Sequence, residues 1–512
     1  MALRLTIPAS ISNPSPPAET RPKQLMEWLN SLPLTKLFES AKSVCNELGR
    51  LNRSRIDADE RLKLLEIYEP VLQQLLVEIA EDYNKAPLPL PATSRQAVNL
   101  ARELLIEEAY AYKLALLEKT SKLLLFGGRK QLVPLIEQVM RILSNSLALS
   151  YQAYLPTPAG VWHEMHELYR YASQQKLLEE EANAGNNWSI DSIYKYAVLI
   201  ALTDPYRLPR SELPDVMRVA AELAALTELH SNPLPEDSQP LFVILPDTDK
   251  PPRLAVQAGM DGERRSGDWV ISTGALVQRL SEVVRERGAA ISPPATKNIT
   301  YAVPLEILRR LIQCWGSPHK RSHSRQLGQA TVHVCASVER ICKLLDRDIQ
   351  ANVIQSNQSG LVNEAELLSE WNVINQSAVG IKLRGMPTAN MAINVGEVIA
   401  VRHHGILALS IGVVRWAQTF EDGSVEFGAQ MLAPWAEPVT LVPTIGNHYP
   451  RRALLLPEIP TLHQPAAVIA SPGSYQSQRE FVLTQSSQIS TIRAAGLAEK
   501  TGWYELFNFH PA

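Results

Sequence analysis

The apolar residues of this 512-residue chain change their spacing part-way along its length. From Arg21 to residue 232 they recur at i, i+3, i+4 and i+7, and Pro or Gly breaks this pattern at intervals. From Gln329 onward they form short runs separated by Gly turns. The first spacing is that of amphipathic helices and the second that of β-strands. The sequence therefore predicts a multidomain α+β protein, in which an all-α helical domain precedes an antiparallel β-barrel with additional β structure.

The length of the chain and the changes in its sequence pattern indicate several domains, since 512 residues exceed what one hydrophobic core usually organises. Residues near the N-terminus are rich in Pro and Ser, and the stretch before the barrel mixes strand-like and helical patterns. We expect an irregular N-terminal arm at 1–20, the helical domain at 21–232, a small α+β connector or barrel extension at 233–300, the barrel at 301–438 with a helical insertion near 338–368, and a C-terminal β extension at 439–512.

Charge and composition narrow the class of partner and the location. The formal net charge is −3, whereas proteins that bind nucleic-acid polymers rely on an excess of positive charge. No apolar run approaches the roughly 20 residues of a membrane helix, and the N-terminal residues lack a secretory pattern. The four cysteines show no metal-ligand spacing. We expect a cytoplasmic protein with no nucleic-acid partner, no integral membrane segment and no metal.

One cluster in the helical region, His163-Glu-Met-His166, invites comparison with a zinc protease helix. Such a helix places its histidines at i and i+4, whereas these lie at i and i+3 with no third ligand apparent. The stretch from Pro438 to Ala512 contains no nucleophile elbow, phosphate loop or paired carboxylates. We therefore predict no catalytic residues and interpret this cluster as a polar helix face.

Two short motifs in the barrel region carry more specific chemistry. Arg321 and Arg325 are four residues apart and precede a strand, and Asn375, Ser377 and Gly380 fall on a bend between two apolar strands. An Arg fork can bond O6 and N7 of guanine together, and it can bind a phosphate in the same bidentate way. Asn and Ser supply short donors and acceptors, and Gly allows close backbone approach. Together the motifs suit a phosphodiester that contains guanine.

The order of these motifs, with the later runs Gly412-Val-Val-Arg-Trp416 and Gly428 to Leu432, resembles the PilZ family of cyclic di-GMP receptors. The resemblance extends from about Cys314 to Pro438. It implies a β-barrel whose ligand is cyclic di-GMP, with no other cofactor. Arg321 and Arg325 would hold guanine and phosphate, and Asn375, Ser377 and Gly380 would form the strand side of the site. Asn375 stands where many members of the family have Asp.

These observations predict a receptor that couples cyclic di-GMP binding at the barrel to a helical domain that docks a protein partner. The alternative is a PilZ-like scaffold or adaptor that has lost the ligand and only joins other proteins. An enzyme that uses the nucleotide as substrate is a third reading, although no general base accompanies the motifs.

Overall fold

The computed structural model describes most of the chain in ranges that are separated by short gaps. These ranges are residues 3–11, 17–126, 129–178, 188–230, 242–260, 262–263, 265, 267–289, 298–316, 326–328, 330–353, 364–386, 391–406, 408–446, 449–460, 463–486 and 488–512. The chain divides into two compact units, of which the first is Met1–Ala86 with Pro91–Lys320 and the second is Pro87–Leu90 with Arg321–Ala512. The predicted multidomain α+β architecture is confirmed.

The first unit begins with a bundle of helices, two of which start with side-chain caps. Asp57 accepts a hydrogen bond from the backbone of Asp59 at the start of one helix, and Ser189 and Ser192 form a capping box at the start of another. The helices are α1 (Pro22–Asn30), α2 (Leu37–Arg53), α3 (Ala58–Asn84), α4 (Ala92–Phe126), α5 (Val133–Gln152), α6 (Val161–Gln174), α7 (Ile190–Leu202) and α8 (Leu213–Leu223).

The long helix α4 packs against α2, α3 and α5, and α5 in turn packs against α6 and α7. Among the described residues, one stretch, Arg129–Gln152, is long and apolar enough to cross a membrane, but 78% of its apolar window is buried inside the protein. Burial of this kind is typical of a core helix. The helix α5 is thus the centre of the bundle.

A buried ion pair fixes the N-terminal arm to this bundle. Lys113 of α4 pairs with Glu164 of α6, and each side chain is 5% exposed. The other Glu164 oxygen accepts the backbone N–H of Thr6 at 2.7 Å. A buried carboxylate is costly unless its oxygens are paired or hydrogen-bonded. The N-terminal arm supplies the hydrogen bond to the second oxygen of Glu164.

The rest of the first unit is a small sheet with helices packed on the bundle. The sheet is antiparallel with the order β1-β4-β2-β3. Asp249, in the turn after β2, accepts hydrogen bonds from the backbone N–H groups of Gly160 and His163 at the start of α6. These elements are β1 (Glu228–His230), β2 (Phe242–Ile244), β3 (Arg253–Leu254), α9 (Ala255–Met260), β4 (Trp269–Ser272), α10 (Gly274–Ala289), α11 (Ile299–Ala302) and α12 (Leu305–Gly316).

The histidine cluster of α6 is built into this junction. His166 is fully buried, and its ring nitrogens lie 2.6 Å from the Tyr194 hydroxyl and 3.0 Å from the Lys250 carbonyl oxygen. Burial lowers the pKa of His166 to about 4. Both ring nitrogens are therefore engaged in joining α6 to α7 and to the turn after β2.

The second unit contains two β-barrels in sequence. The strands and helices of the middle barrel are β5 (Gln326–Leu327), β6 (Thr331–Ala336), α13 (Val338–Val353), α14 (Glu364–Leu367), β7 (Ser369–Ser377), β8 (Gly380–Gly385), β9 (Val398–His403), β10 (Ser410–Thr419) and β11 (Val425–Ala433). Those of the C-terminal barrel are β12 (Glu437–Pro443), β13 (Arg451–Leu456), β14 (Ala467–Ala470), β15 (Glu480–Gln485), β16 (Gln488–Lys500) and β17 (Glu505–Pro511).

The middle barrel runs in the order β7-β6-β9-β10-β11-β8 and closes through the pairing of β7 with β8. Trp371 and Phe427 meet inside it, with their ring centroids 4.9 Å apart in an edge-to-face arrangement. The two-residue strand β5 pairs with β7 as an addition to the barrel. Closure leaves the side chains of alternate residues on the outer face.

The C-terminal β structure, predicted only as an extension, forms a closed barrel of its own in the order β12-β13-β14-β17-β16-β15. One hydrophobic cluster joins the two barrels and includes Ile341 of α13, Val398 and Ile411 of the middle barrel, and Leu454 and Ile469 of the C-terminal barrel. The helix α13 follows β6 directly and packs on strands of both barrels. The two barrels therefore share a core.

Candidate ligand-binding site

The hairpin between β7 and β8 brings three of the predicted residues together. Ser377 and Gly380 form the last pair of the hairpin, and Ser377 Oγ donates a hydrogen bond to the Gly380 carbonyl oxygen at 3.4 Å. The turn is attached to the neighbouring strand because the Met431 N–H donates to the Val379 carbonyl at 3.0 Å. A Cβ on Gly380 would lie 3.4 Å from the Ala429 carbonyl oxygen, which is van der Waals contact, so the turn lies close to β11.

Asn375 lies two residues before Ser377 on the same face of β7. Its side-chain oxygen Oδ1 is buried and has no hydrogen-bond partner among the described residues. A buried acceptor without a partner costs about 1–3 kcal/mol. The free protein therefore keeps an acceptor that a ligand donor can satisfy.

Arg321 and Arg325 lie outside the described residues. The chain is described again from Gln326, and β5 then pairs with β7 so that Leu327 stands opposite Asn375. Gly328 continues this contact, and a Cβ there would lie 2.6 Å from Val373 Cγ1. The residue that follows Arg325 in the sequence is thus hydrogen-bonded beside the hairpin.

Cross-strand register adds two side chains that sequence analysis did not identify as site residues. Asn375 stands opposite Lys382, Lys382 opposite Gly428, and Gly428 opposite Trp416. Directly opposed residues share a face of a sheet, so these four positions form one row across the outside of the barrel. The Trp416 ring belongs to the run that carries the family resemblance, but the position of Lys382 follows only from the register.

Trp416 forms a half-buried aromatic surface in this row. The indole crosses Gly428 so closely that a Cβ there would lie 2.0 Å from Trp416 Nε1. The Lys382 ammonium lies 5.6 Å from the ring centroid and 2.7 Å from Glu426 Oε1. An aromatic face with an adjacent cation can stack a nucleobase and neutralise its phosphate.

Arg384 and Asp422 form a second charge pair beside this face. Arg384 lies 4.6 Å from the Phe420 ring centroid, and its Nη2 is 3.2 Å from Asp422 Oδ2. Hydrogen bonds from Ser424 hold the pKa of the Asp422 carboxyl below its usual range. Among the described residues, no group of three or more His, Cys, Asp or Glu side chains is placed to hold a metal ion. In the part of the chain that the structure describes, the face thus presents amide and hydroxyl groups, cations paired with carboxylates, and the Trp416 indole.

Three family models match consecutive parts of the chain. They are described as the N-terminal domain of the cyclic-di-GMP receptor FimW (residues 23–236), its middle PilZ domain (residues 241–341 and 344–438) and the FimW C-terminal beta-barrel domain (residues 439–512). The candidate site falls within the middle match.

A curated relative covers almost the whole chain. It is the cyclic-di-GMP receptor FimW of Pseudomonas aeruginosa, which is 23% identical over 545 aligned positions that cover 93% of this chain and 88% of the relative. No solved structure gives a significant match. The similarity therefore extends over the helical region and both barrels.

The contact between Trp416 and Gly428 predicts the effect of adding one methyl group. We expect Gly428→Ala to push the indole off the strand and to lower the free energy of unfolding by about 1–3 kcal/mol. The near-ultraviolet circular dichroism of the tryptophans should change, and denaturant unfolding measures the stability. Gly496→Ala is the control, since nothing lies within 4 Å of its Cβ position. Equal behaviour of the two variants would contradict the described packing of Trp416.

Proposed function

We propose that this chain, which belongs to the PilZ-domain family of cyclic di-GMP receptors, itself binds cyclic di-GMP on the outer face of its middle barrel. The observation that carries the proposal is the row of Asn375, Lys382 and Trp416, in which an unsatisfied acceptor, a cation and an aromatic face stand side by side. The name of the Pseudomonas relative, which covers the same three regions, supports the choice of ligand.

Each group on the face has a complementary group on the ligand. The buried Oδ1 of Asn375 accepts a hydrogen bond from an N–H on the guanine edge, and stacking on Trp416 contributes about 1–3 kcal/mol per base. Lys382 is close enough to the indole to meet the phosphodiester of a stacked nucleotide. Ser377 offers its hydroxyl at the end of the hairpin, where Gly380 leaves the surface open.

Arg321 and Arg325 supply the second half of the site in this proposal. The support is the pairing of Gln326 with Gln376, which fixes the chain directly after Arg325 at the edge of the same hairpin. An arginine this close in sequence can reach the face, because its side chain is long and its fork binds guanine or phosphate bidentately. Arg321 lies four residues earlier in the sequence. In this proposal one of the two arginines binds guanine and the other binds phosphate.

We infer that binding occurs without turnover, so the protein is a receptor and not an enzyme. The carboxylates beside the face are engaged, since Glu426 pairs with Lys382 and Asp422 with Arg384 and Ser424. A carboxylate held in this way is a poor general base for hydrolysis. Recovery of intact cyclic di-GMP after long incubation is expected, and a linear dinucleotide product would favour the enzyme reading.

We propose that ligand binding at the barrels changes the conformation of the helical domain. The second unit includes residues 87–90, which connect α3 to α4, and there the Ile393 N–H donates to the Leu88 carbonyl at 2.8 Å. Leu88 and Leu90 are each 1% exposed. The chain thus passes between the units on both sides of this segment and again after Lys320, which provides three covalent connections for a conformational signal.

The helical domain offers a cavity of about 620 Å³ for a protein partner. The rings of Trp188 and Tyr196 meet there edge to face, with their centroids 5.3 Å apart, and Arg141 lines the same cavity. Gln138 and Asn145 add amides to the lining.

Glu69 also lines the cavity, but the guanidinium groups of Arg141 and Arg218 outnumber its carboxylate. With the aromatic rings and amides, they suit a peptide segment with an acidic side chain. We therefore propose a cytoplasmic receptor that docks an acidic peptide of a partner protein in this cavity.

The first functional prediction concerns the two arginines. Removing a charge-assisted bidentate contact costs about 1.5–3 kcal/mol, so Arg321→Ala and Arg325→Ala should each weaken cyclic di-GMP binding roughly tenfold to a hundredfold in calorimetry. Cyclic di-AMP should compete poorly because adenine places a donor where guanine has O6. Arg493→Ala, in an exposed pair of the C-terminal barrel, is the control. Parent-like binding by both variants would remove the arginines from the site, and no binding by the parent would favour the scaffold alternative.

A second prediction separates binding from stability at Asn375. Replacing it with Leu removes the unsatisfied buried oxygen, so the free protein should be as stable as the parent or more stable by about 1 kcal/mol. The same change should weaken cyclic di-GMP binding roughly tenfold or more, since the acceptor is lost. Thermal unfolding and calorimetry measure the two effects. Unchanged affinity would show that this oxygen does not meet the ligand.

The partner cavity predicts a site-specific crosslink. A photoreactive phenylalanine analogue at Asn145, which is exposed in the cavity, should crosslink a partner protein in cells, and Arg141→Glu should abolish that crosslink. The same analogue at Val77, which is 66% exposed on α3, serves as the control. Identical crosslinks from both positions, or a crosslink that survives Arg141→Glu, would contradict docking in the cavity.

A further inference from the structure

Arg415 connects the ligand face to the C-terminal barrel. The pairing of β10 with β11 shifts between Val414 and Trp416, so Arg415 is the extra residue of a bulge beside the indole. Its Nε donates to Gln430 Oε1 at 2.9 Å. Its Nη1 and Nη2 both donate to the carboxylate of Glu499 on β16, the latter at 2.9 Å. One guanidinium therefore links two barrels.

The pair is partly withdrawn from water, which strengthens it. The side chains of Arg415 and Glu499 are 30% and 26% exposed, and the fully buried Tyr504 lies beside them. Burial by itself lowers the pKa of Arg415, but the hydrogen bonds and charge of Glu499 outweigh this and raise it. A bidentate pair of this kind fixes both the charge and the plane of the guanidinium.

The other end of this connection is the hairpin. Gln430 stands directly opposite Gly380 in the pairing of β8 with β11, so its exposed side chain lies on the outer face next to Ser377. Because Arg415 engages the oxygen of the Gln430 amide, the amide N–H₂ group is left to point away from Arg415. That group is a donor suited to a phosphate oxygen of a ligand on the face.

We propose that Glu499, carried by the C-terminal barrel, is a positioning residue for the ligand site of the middle barrel. It holds Arg415, and through Arg415 it holds the Gln430 amide, in the orientation that receives a phosphodiester. This inference rests on the proposed function and deepens it, because it makes full affinity depend on the third domain. Without the carboxylate, Arg415 is free to rotate away and Gln430 loses its orientation.

The test is a double-mutant cycle measured by calorimetry with cyclic di-GMP on the full chain. Glu499→Gln should weaken binding about tenfold, and Arg415→Ala at least as much. Glu499→Gln should add nothing in the Arg415→Ala background, since Glu499 acts through Arg415. Glu499→Asp, which keeps the charge with a shorter reach, should restore part of the affinity. Near-ultraviolet circular dichroism confirms that each variant is folded.

Glu480→Gln is the matched control. Glu480 pairs with Arg493 on the same barrel at 2.6 Å, and this pair does not involve the middle barrel. The affinity of the Glu480→Gln variant for cyclic di-GMP should equal that of the parent protein. Parent-like binding by Glu499→Gln, or a further loss when it is combined with Arg415→Ala, would overturn the inference while the receptor function stands. Absence of binding by the parent would instead overturn the proposed function, and the inference with it.

Discussion

The pairing of β7 with β8 is the constraint on which the candidate site depends. It closes the middle barrel, and its register places Asn375 opposite Lys382. A shift of one residue would turn every side chain of β8 to the other face of the sheet. The packing of Trp371 against Phe427 inside the barrel opposes such a shift, because the same register fixes both faces. The hydrophobic core therefore specifies the polar surface that we assign to the ligand.

Two residues of this surface lower the stability of the free protein. Among the described residues, the buried Oδ1 of Asn375 has no hydrogen-bond partner. Gly428 has no side chain, which allows Trp416 to lie against the strand. Unsatisfied polar atoms and special glycines that occur together on one face are typical of a binding site. The hydrophobic core that the two barrels share stabilises the middle barrel. Glu499 of the C-terminal barrel pairs with Arg415, the residue before Trp416. In the proposed function, this surface binds the ligand together with the segment that carries Arg321 and Arg325.

The parts of the candidate site that are contiguous in the chain could be predicted from the sequence. Asn375, Ser377 and Gly380 belong to one hairpin, so their spacing alone indicated that they would meet. Lys382 and Trp416 were not identified because cross-strand register depends on barrel closure, which no local pattern encodes. The closure of 439–512 into a second barrel was likewise missed, since short apolar runs reveal strands but not their pairing partners. The domain boundaries and the roles of Arg321 and Arg325 stay predictions.

Hydrogen exchange with and without cyclic di-GMP is the sharpest test of a ligand site on the middle barrel, because it reports on both halves of the proposed site in one experiment. We expect the ligand to slow exchange of the backbone amides in 318–327 and in 375–382 together. If the signal reaches the helical domain, exchange in 87–90 and in the helices on either side should change as well. Protection of neither motif segment at saturating ligand, or protection confined to the helical domain, would contradict a cyclic di-GMP site on the middle barrel.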